Sequence, residues 1–373
     1  MLSESKSYLD IKVSHRSYSA AAHAIGELAP IWQQLESKAE THFFLSWAWI
    51  ESWLRISPLP LLVVEAKSQD QTVGIGLFSQ RVTKKFGLIP IRQLWLNRCG
   101  DGRHDQIWIE YNDCLLRRGE APLTRQAIYQ YIFQHENLCD ELYIGLTIDS
   151  ALPIFCDSNL NCRTLIESFG FTKNIEQCSQ DTLLSDFSSN TRKQIKRSVK
   201  LLGEKGKVEI RPAQGEHQKE LWFEQIKSLH LQKWRDSQWG SGFDNALFHD
   251  FHQKLIRSKG SGVELLALVI DKEPTCFLYN LLDENSVYFY LSAIPPERDN
   301  RIKLGLVAHT LAMARYAQQG FKCYDFLAGE NRYKQSLSDT RYSMRLACYH
   351  RRSFTAKIEG LLRHIKSWGK RSN

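Results

Sequence analysis

"YDFLAGENRYK" spans Tyr324 to Lys334 of a 373-residue chain. Tyr324, Phe326 and Leu327 give its opening the character of a strand. Asp325 interrupts that run, and Gly329, Glu330, Tyr333 and Lys334 follow at once. Side chains alternate along a strand, so Asp325 points away from Tyr324 and Phe326. A partly buried carboxylate there has a raised pKa. Three roles are open to it: pairing with Lys334 or another basic group, binding a substrate amine, or taking a proton from an attacking ammonium group.

Upstream, Leu304, Val307, Ala308, Leu311, Ala314 and Ala317 form a stripe at helical spacing that ends at Gly320. Arg298, Arg301 and Lys303 precede this helix, and Gly305 lies in its first turn. A helix N-terminus offers unpaired N–H groups and partial positive charge, while glycine lets a ligand approach the backbone. The pattern suits a pyrophosphate. Further upstream, "VELLALVID", "TCFLYNLLD" and "VYFYLSAI" read as strands joined by the turns "DKEP" and "DENS". Helices are expected from Glu216 to Trp234 and in "FDNALFHDFHQKLIRSKG". Residues 181–210 carry basic residues interleaved with Ile195, Val199 and Leu202, a helix that presents either a solvated face or a surface for an anionic partner.

The first half has a comparable order. Residues 1–60 read as mainly helical, and "LPLLVVEAKSQDQTVGIGLF" reads as a hairpin. A turn-rich loop with Asp101, Arg103, His104 and Asp105 leads to a helix near Thr124–Glu136 and the strand "DELYIGLTI". Each half thus runs helices, hairpin, strand, helix, strand, which predicts domains at 1–180 and 181–373.

Composition narrows the class. The formal charge is +8, compatible with an anionic partner without naming one. No apolar stretch approaches the roughly 20 residues of a spanning helix. The N-terminus lacks the apolar segment of a signal peptide, and nine cysteines show no C-x-x-C or Cys/His spacing. These features predict reduced thiols, a cytoplasmic protein and no bound metal. Hydrolase elbow, P-loop, dinucleotide and zinc-protease motifs are absent from the sequence. In the tail, Phe354, Ile358, Leu361, Leu362, Ile365 and Trp368 share a helix face amid basic residues. That pattern fits either a docked helix or peripheral contact with a membrane surface.

The order of strand pair, strand, basic loop, helix, strand and Tyr-bearing helix resembles the GNAT acyltransferase core. "LHLQKW" (Leu229–Trp234), "RIKLGL" (Arg301–Leu306) and "YDFLAGENRYK" are similar to the CelD-like (cellulose-biosynthesis) family, which is related to the FemAB aminoacyltransferases. The resemblance implies an α/β protein of tandem GNAT-like folds, with mixed central sheets flanked by helices. It implies an acyl-CoA-dependent N-acyltransferase acting on a small-molecule amine, a sugar or amino-acid derivative of polysaccharide or envelope assembly. The donor would lie between two splayed parallel strands, held by Arg301, Lys303, Gly305 and Leu306. Asp325, Tyr333 and Lys334 would be the catalytic group, with Tyr333 protonating the leaving thiolate. His230, Trp234 and Glu330 would contact the acceptor. FemAB-like proteins can use aminoacyl-tRNA, so an RNA-borne donor is the alternative, as is a non-catalytic binding protein. One departure stands out: Lys303-Leu304-Gly305 replaces the family's Ser-Pro-Gly.

Overall fold

The computed structural model describes residues 10–85, 87–155, 160–236, 240–297 and 299–351. The first half comprises β1 (Ile11–Tyr18), α1 (Ile25–Glu36), α2 (Trp47–Ile56), β2 (Leu61–Ser68), β3 (Gln71–Lys85), β4 (Ile89–Leu96), the short β5 (Leu115–Leu116), α3 (Ala121–Gln134), β6 (Glu141–Ile148) and β7 (Leu160–Asn174). The second comprises α4 (Gln180–Asp186), α5 (Ser189–Gly203), β8 (Val208–Pro212), α6 (Gly215–Trp234), α7 (Ala246–Arg257), β9 (Val263–Ile270), β10 (Glu273–Leu282) and β11 (Ser286–Ala293). It ends with α8 (Leu304–Gln318), β12 (Cys323–Ala328), α9 (Arg332–Leu337) and β13 (Thr340–Arg351).

The strands form one mixed sheet in the order β1-β2-β3-β4-β6-β13-β7-β12-β11-β10-β9-β8, with β5 beside β3. Read inward from its edges, each half repeats four antiparallel strands and then one parallel neighbour, β6 beside β4 and β12 beside β11. The two central strands are exchanged. β7 of the first half lies against β12, and β13 of the second lies against β6. β7 and β13 pair with each other from Thr340↔Thr172 to Arg351↔Leu160. The expected pair of sheets is therefore fused into a single one.

Packing follows from this exchange. On one face a shared core joins Trp32, Phe44 and Trp49 to Phe223, Phe248 and Phe251. The Trp49 and Phe251 rings meet edge to face with centroids 4.8 Å apart. On the other face each half keeps its own core. Ile128, Tyr129 and Ile132 of α3 cover the first, and Ile195, Val307 and Ala308 of α5 and α8 cover the second.

Most expected elements lie within a few residues of their places, with one clear correction. Residues 10–60 are mainly helical, but a strand absent from the sequence reading precedes the helices: β1 forms an edge strand whose Ile11 and Val13 pack toward α3. The aromatic stretch after Pro30 is split into α1 and α2. Ser46 caps α2, its hydroxyl accepting from the Trp49 N–H at 3.3 Å. Arg298 and the basic tail lie outside the described residues. Among the described residues, no helix is long and apolar enough to cross a membrane.

Candidate active site

β11 and β12 run side by side only through Ser286↔Cys323, Val287↔Tyr324 and Tyr288↔Asp325. Beyond that point they part. There β11 carries a bulge at Tyr290, and β12 ends in a kink, where Leu327 takes a left-handed φ of +59° and Gly329 one of +110°. The second suits glycine, but the first is a costly conformation for leucine and must be held by its surroundings. Asp325 Oδ1 accepts from the Leu327 N–H at 2.7 Å. Lys334 Nζ donates to the Ala328 carbonyl at 2.7 Å and to that of Leu327 at 3.3 Å. From the other half, Glu110 Oε2 accepts from the Ala328 N–H at 2.8 Å. Three ionisable groups thus grip three consecutive peptide units, through the N–H and carbonyl groups of Leu327 and Ala328.

Asp325 also ties the halves together. Tyr111 donates to its Oδ2, and Tyr342 of β13 donates to Oδ1 at 2.8 Å and Oδ2 at 3.0 Å. Burial pushes the Asp325 carboxyl up to about 6, against these donors and the nearby Lys334. Burial also raises Glu110 and lowers Lys334, while the opposite charges of the lysine and the two acids restrain both shifts.

A pH effect follows. Glu110 titrates higher folded than unfolded, so its contribution to stability is full below the unfolded value and is lost as pH rises through the folded one. Glu110→Gln keeps an acceptor for Ala328 but removes that loss. In urea unfolding, the variant should gain on the parent between pH 5 and pH 8 by about 1.4 kcal/mol per unit of displacement. Parallel pH curves would refute this.

The parted strands open a cleft of about 630 Å³ that passes through the sheet. On the α8 side its walls are Phe289, Lys303, Gly305, Leu306, His309 and Tyr333. On the side of the shared core they are Trp108, His230, Trp234 and Tyr290. α8 starts at the mouth with no side-chain cap, so the N–H groups of its first turn are available to a ligand. Ser198 of α5 steadies that start by accepting from the Lys303 N–H at 2.9 Å. Lys233 and Lys303 line the cleft and have no carboxylate partner among the described residues. A Cβ at Gly305 would come within 2.9 Å of Ile294 Cδ1, so any side chain there crowds the cleft wall.

His309 packs between Phe289 and Tyr333, stacking on the Tyr333 ring at 5.6 Å with an interplanar angle of 15°. Its Nδ1 lies 3.0 Å from the Tyr324 hydroxyl, and burial holds its pKa down to about 3. The Tyr333 phenol is raised by burial and has no hydrogen-bond partner among the described residues. His230 is neutral as well, lowered to about 4 by burial and Lys233, with Nδ1 2.7 Å from Ser241 Oγ.

Of the residues singled out in the sequence, the cleft brings together His230, Trp234, Lys303, Gly305, Leu306, Tyr333 and Lys334. Asp325 does not line it, since its carboxylate is enclosed by hydroxyl and N–H donors. Arg301 also stands outside, folded back in a two-pronged pair onto Asp299 with Nη2 at 2.7 Å. Glu330 is exposed and faces Arg341 at 3.7 Å. Trp108, Glu110, Tyr111 and His309 were not singled out. His309 was within reach, because it sits one helical turn beyond Gly305; the others lie more than 200 residues from the strand they serve.

The first half has the corresponding fork, closed. β4 and β6 pair at Gln93↔Glu141, Leu94↔Leu142 and Trp95↔Tyr143 before separating. Asn112 fills the gap, its Nδ2 donating to the Leu96 carbonyl at 2.7 Å and the Gly145 carbonyl at 2.9 Å. The open fork is that of the second half.

Residues 189–335 match the family model described as Acetyltransferase (GNAT) domain. A sequence search of curated proteins finds no match. Among solved structures, the chain is similar to the crystal structure of FemX, at a TM-score of 0.56 and 9% identity over 88% of this chain and 96% of that one. It is similar to the C-terminal domain (DUF2156) of a putative lysylphosphatidylglycerol synthetase from Agrobacterium fabrum, at 0.53 and 8% over 92% and 95%. A conserved protein of unknown function from Bacteroides thetaiotaomicron VPI-5482 gives 0.53 and 9% over 90% and 99%. At such identities the likeness is one of fold, and it extends over both halves.

Proposed function

We propose that this protein is a GNAT-type N-acyltransferase of the CelD-like kind. The donor, acyl-CoA, occupies the α8 side of the cleft, and the amine enters from the shared-core side. One observation carries the reading: the parallel pair β11/β12 parts where the uncapped start of α8, with Gly305 in its first turn, meets the opening. The first-turn N–H groups, Lys303 and Lys233 would hold the diphosphate. The thioester supplies an acyl carbon that a neutral amine can attack directly.

The chain's residues then divide the work. Tyr333 stays protonated at working pH and gives its proton to the departing sulfur as the C–S bond breaks. The proton that the amine nitrogen sheds on becoming an amide passes to solvent water and restores the phenol. His309 fixes the Tyr333 ring by stacking. His230 and Trp234 wall the side from which the amine, on a sugar or amino-acid derivative, arrives. Asp325 acts at one remove, by holding the kink that keeps the fork open. Arg301 and Glu330 have no part in this account.

A specific feature favours a second reading, in which the donor is an aminoacyl-tRNA. α5 packs against the start of α8 and exposes Lys193, Lys196, Arg197 and Lys200, with no carboxylate partner among the described residues. Such a row suits RNA phosphates. The deciding experiment follows thiol release from acetyl-CoA and longer acyl-CoAs with a panel of amines. Amine-dependent release supports the first reading; none with any thioester, together with transfer from charged tRNA, would establish the second.

A further inference from the structure

The cleft does not stop at its acceptor side. Trp108 and Gly240 line both it and a second cavity of about 820 Å³. Loops of both halves wall this cavity, including Arg98 and Arg103 from the first and Ser241 and Asn245 from the second. Asn245 clamps the loops together, its Nδ2 donating to the Arg103 carbonyl at 2.7 Å and to Gln106 Oε1 at 2.9 Å.

Trp108 is built into place at a cost. Its backbone is left-handed, with φ +46° and ψ +58°, a conformation bulky residues avoid. Its N–H donates to the Asp105 carbonyl at 3.2 Å. Gly242 makes room for the indole, since a Cβ there would lie 2.8 Å from Cη2. Yet the side chain remains 43% exposed, at the junction of the two cavities. A strained, accommodated and still exposed indole is a platform for the face of a ring.

The charges beside it are open to an anion. Asp105 is engaged by the N–H groups of Cys99 at 2.7 Å and Gly100 at 2.9 Å and by Arg98 Nε at 3.2 Å. Asp244 is engaged by the Ser241 N–H at 2.7 Å. The Nη edge of Arg98 and the whole guanidinium of Arg103 have no partner among the described residues. Paired donor edges of this kind match phosphate oxygens.

We propose that the second cavity is the acceptor's recognition subsite and takes a phosphorylated amino sugar. The ring lies on Trp108, the phosphate meets Arg98 and Arg103, and the amine reaches the cleft past Gly240. This rests on the assignment of the cleft as the site of acyl transfer. The phosphate can belong to a free sugar phosphate or to a nucleotide-linked sugar.

Calorimetric titration with glucosamine, glucosamine 6-phosphate and UDP-glucosamine tests it. A phosphorylated sugar should bind at least about tenfold tighter than glucosamine, and Arg103→Met should remove most of that advantage. Trp108→Ala should weaken every sugar by about fivefold. Stronger binding of UDP-glucosamine assigns the nucleotide-linked source, and the reverse order assigns the free phosphate. Equal affinities for plain and phosphorylated sugars, no binding of either phosphorylated probe at millimolar concentration, or an Arg103→Met variant that binds like the parent overturns the proposal. Acetyl-CoA affinity, read in parallel, should not change in Arg103→Met, since Arg103 lies outside the cleft. Its absence in the parent would remove the donor reading while leaving a measured phosphate preference intact.

Discussion

Asp325→Ala lowers the unfolding free energy by roughly 3–5 kcal/mol, the cost of removing one member of a buried, hydrogen-bonded charge cluster. The substitution strips the acceptor from Tyr111, Tyr342 and the Leu327 N–H together. It also leaves the Lys334 ammonium with one fewer buried counter-charge. Because Tyr111 reaches Asp325 from the other half, the loss weakens the join between halves as well as the end of β12. Donor binding should fall with it, since the left-handed turn at Leu327 loses its anchor. Asp325→Asn keeps an acceptor oxygen and should recover much of the stability. Urea unfolding of the three proteins at pH 7 measures the effect; a loss below about 1 kcal/mol would show that the cluster does not hold the kink.

Tyr333→Phe lowers kcat by about 100-fold or more and leaves donor affinity within about twofold, the pattern for loss of a group that acts in the transition state. The phenol lines the cleft, stacks on His309 and is kept protonated by burial. Phenylalanine preserves that stack while removing the proton donor. The sign of the pKa shift adds a check. With the phenol raised above its ordinary range, activity in the parent should not fall through pH 10 on its account. A kcat within about threefold of the parent would assign proton delivery elsewhere.

The elements read most clearly in the sequence are those whose pattern is local. Apolar spacing marks α8, and short apolar runs bounded by turns mark β9 to β12 together with the hairpin of β2 and β3. The sequence reading passed over β7 and β13, the exchanged pair at the centre of the sheet. Both carry mixed polar and charged residues, as in "LNCRTLIESFGFTKN" and "TRYSMRLACYHR". Their strand character comes from pairing with each other across about half the chain length, which no short window contains.

The site divides the same way. Gly305, Tyr333 and Lys334 stood out because their chemistry lies within a short motif. Lys334 is there as much to hold two carbonyls as to meet a substrate. Asp325 faces away from Tyr324 and Phe326, as strand alternation requires, but what lies on that side is Tyr111 and Tyr342 rather than the cleft. Arg301 has its own acid two residues away at Asp299, a neighbour visible in the sequence. Trp108 and Glu110 offer no such local signal, because the fold of the whole chain brings them to the kink and the cleft.

If the open fork of the second half is a donor site, acyl-CoA must bind at the start of α8. Calorimetric titration of the parent and of Gly305→Glu with acetyl-CoA tests it most directly. The parent should bind saturably and the variant at least about 100-fold more weakly, because a carboxylate would crowd Ile294 and repel a diphosphate at the start of α8. Equal binding by both proteins, or no binding of acetyl-CoA or any longer acyl-CoA by the parent, would contradict it.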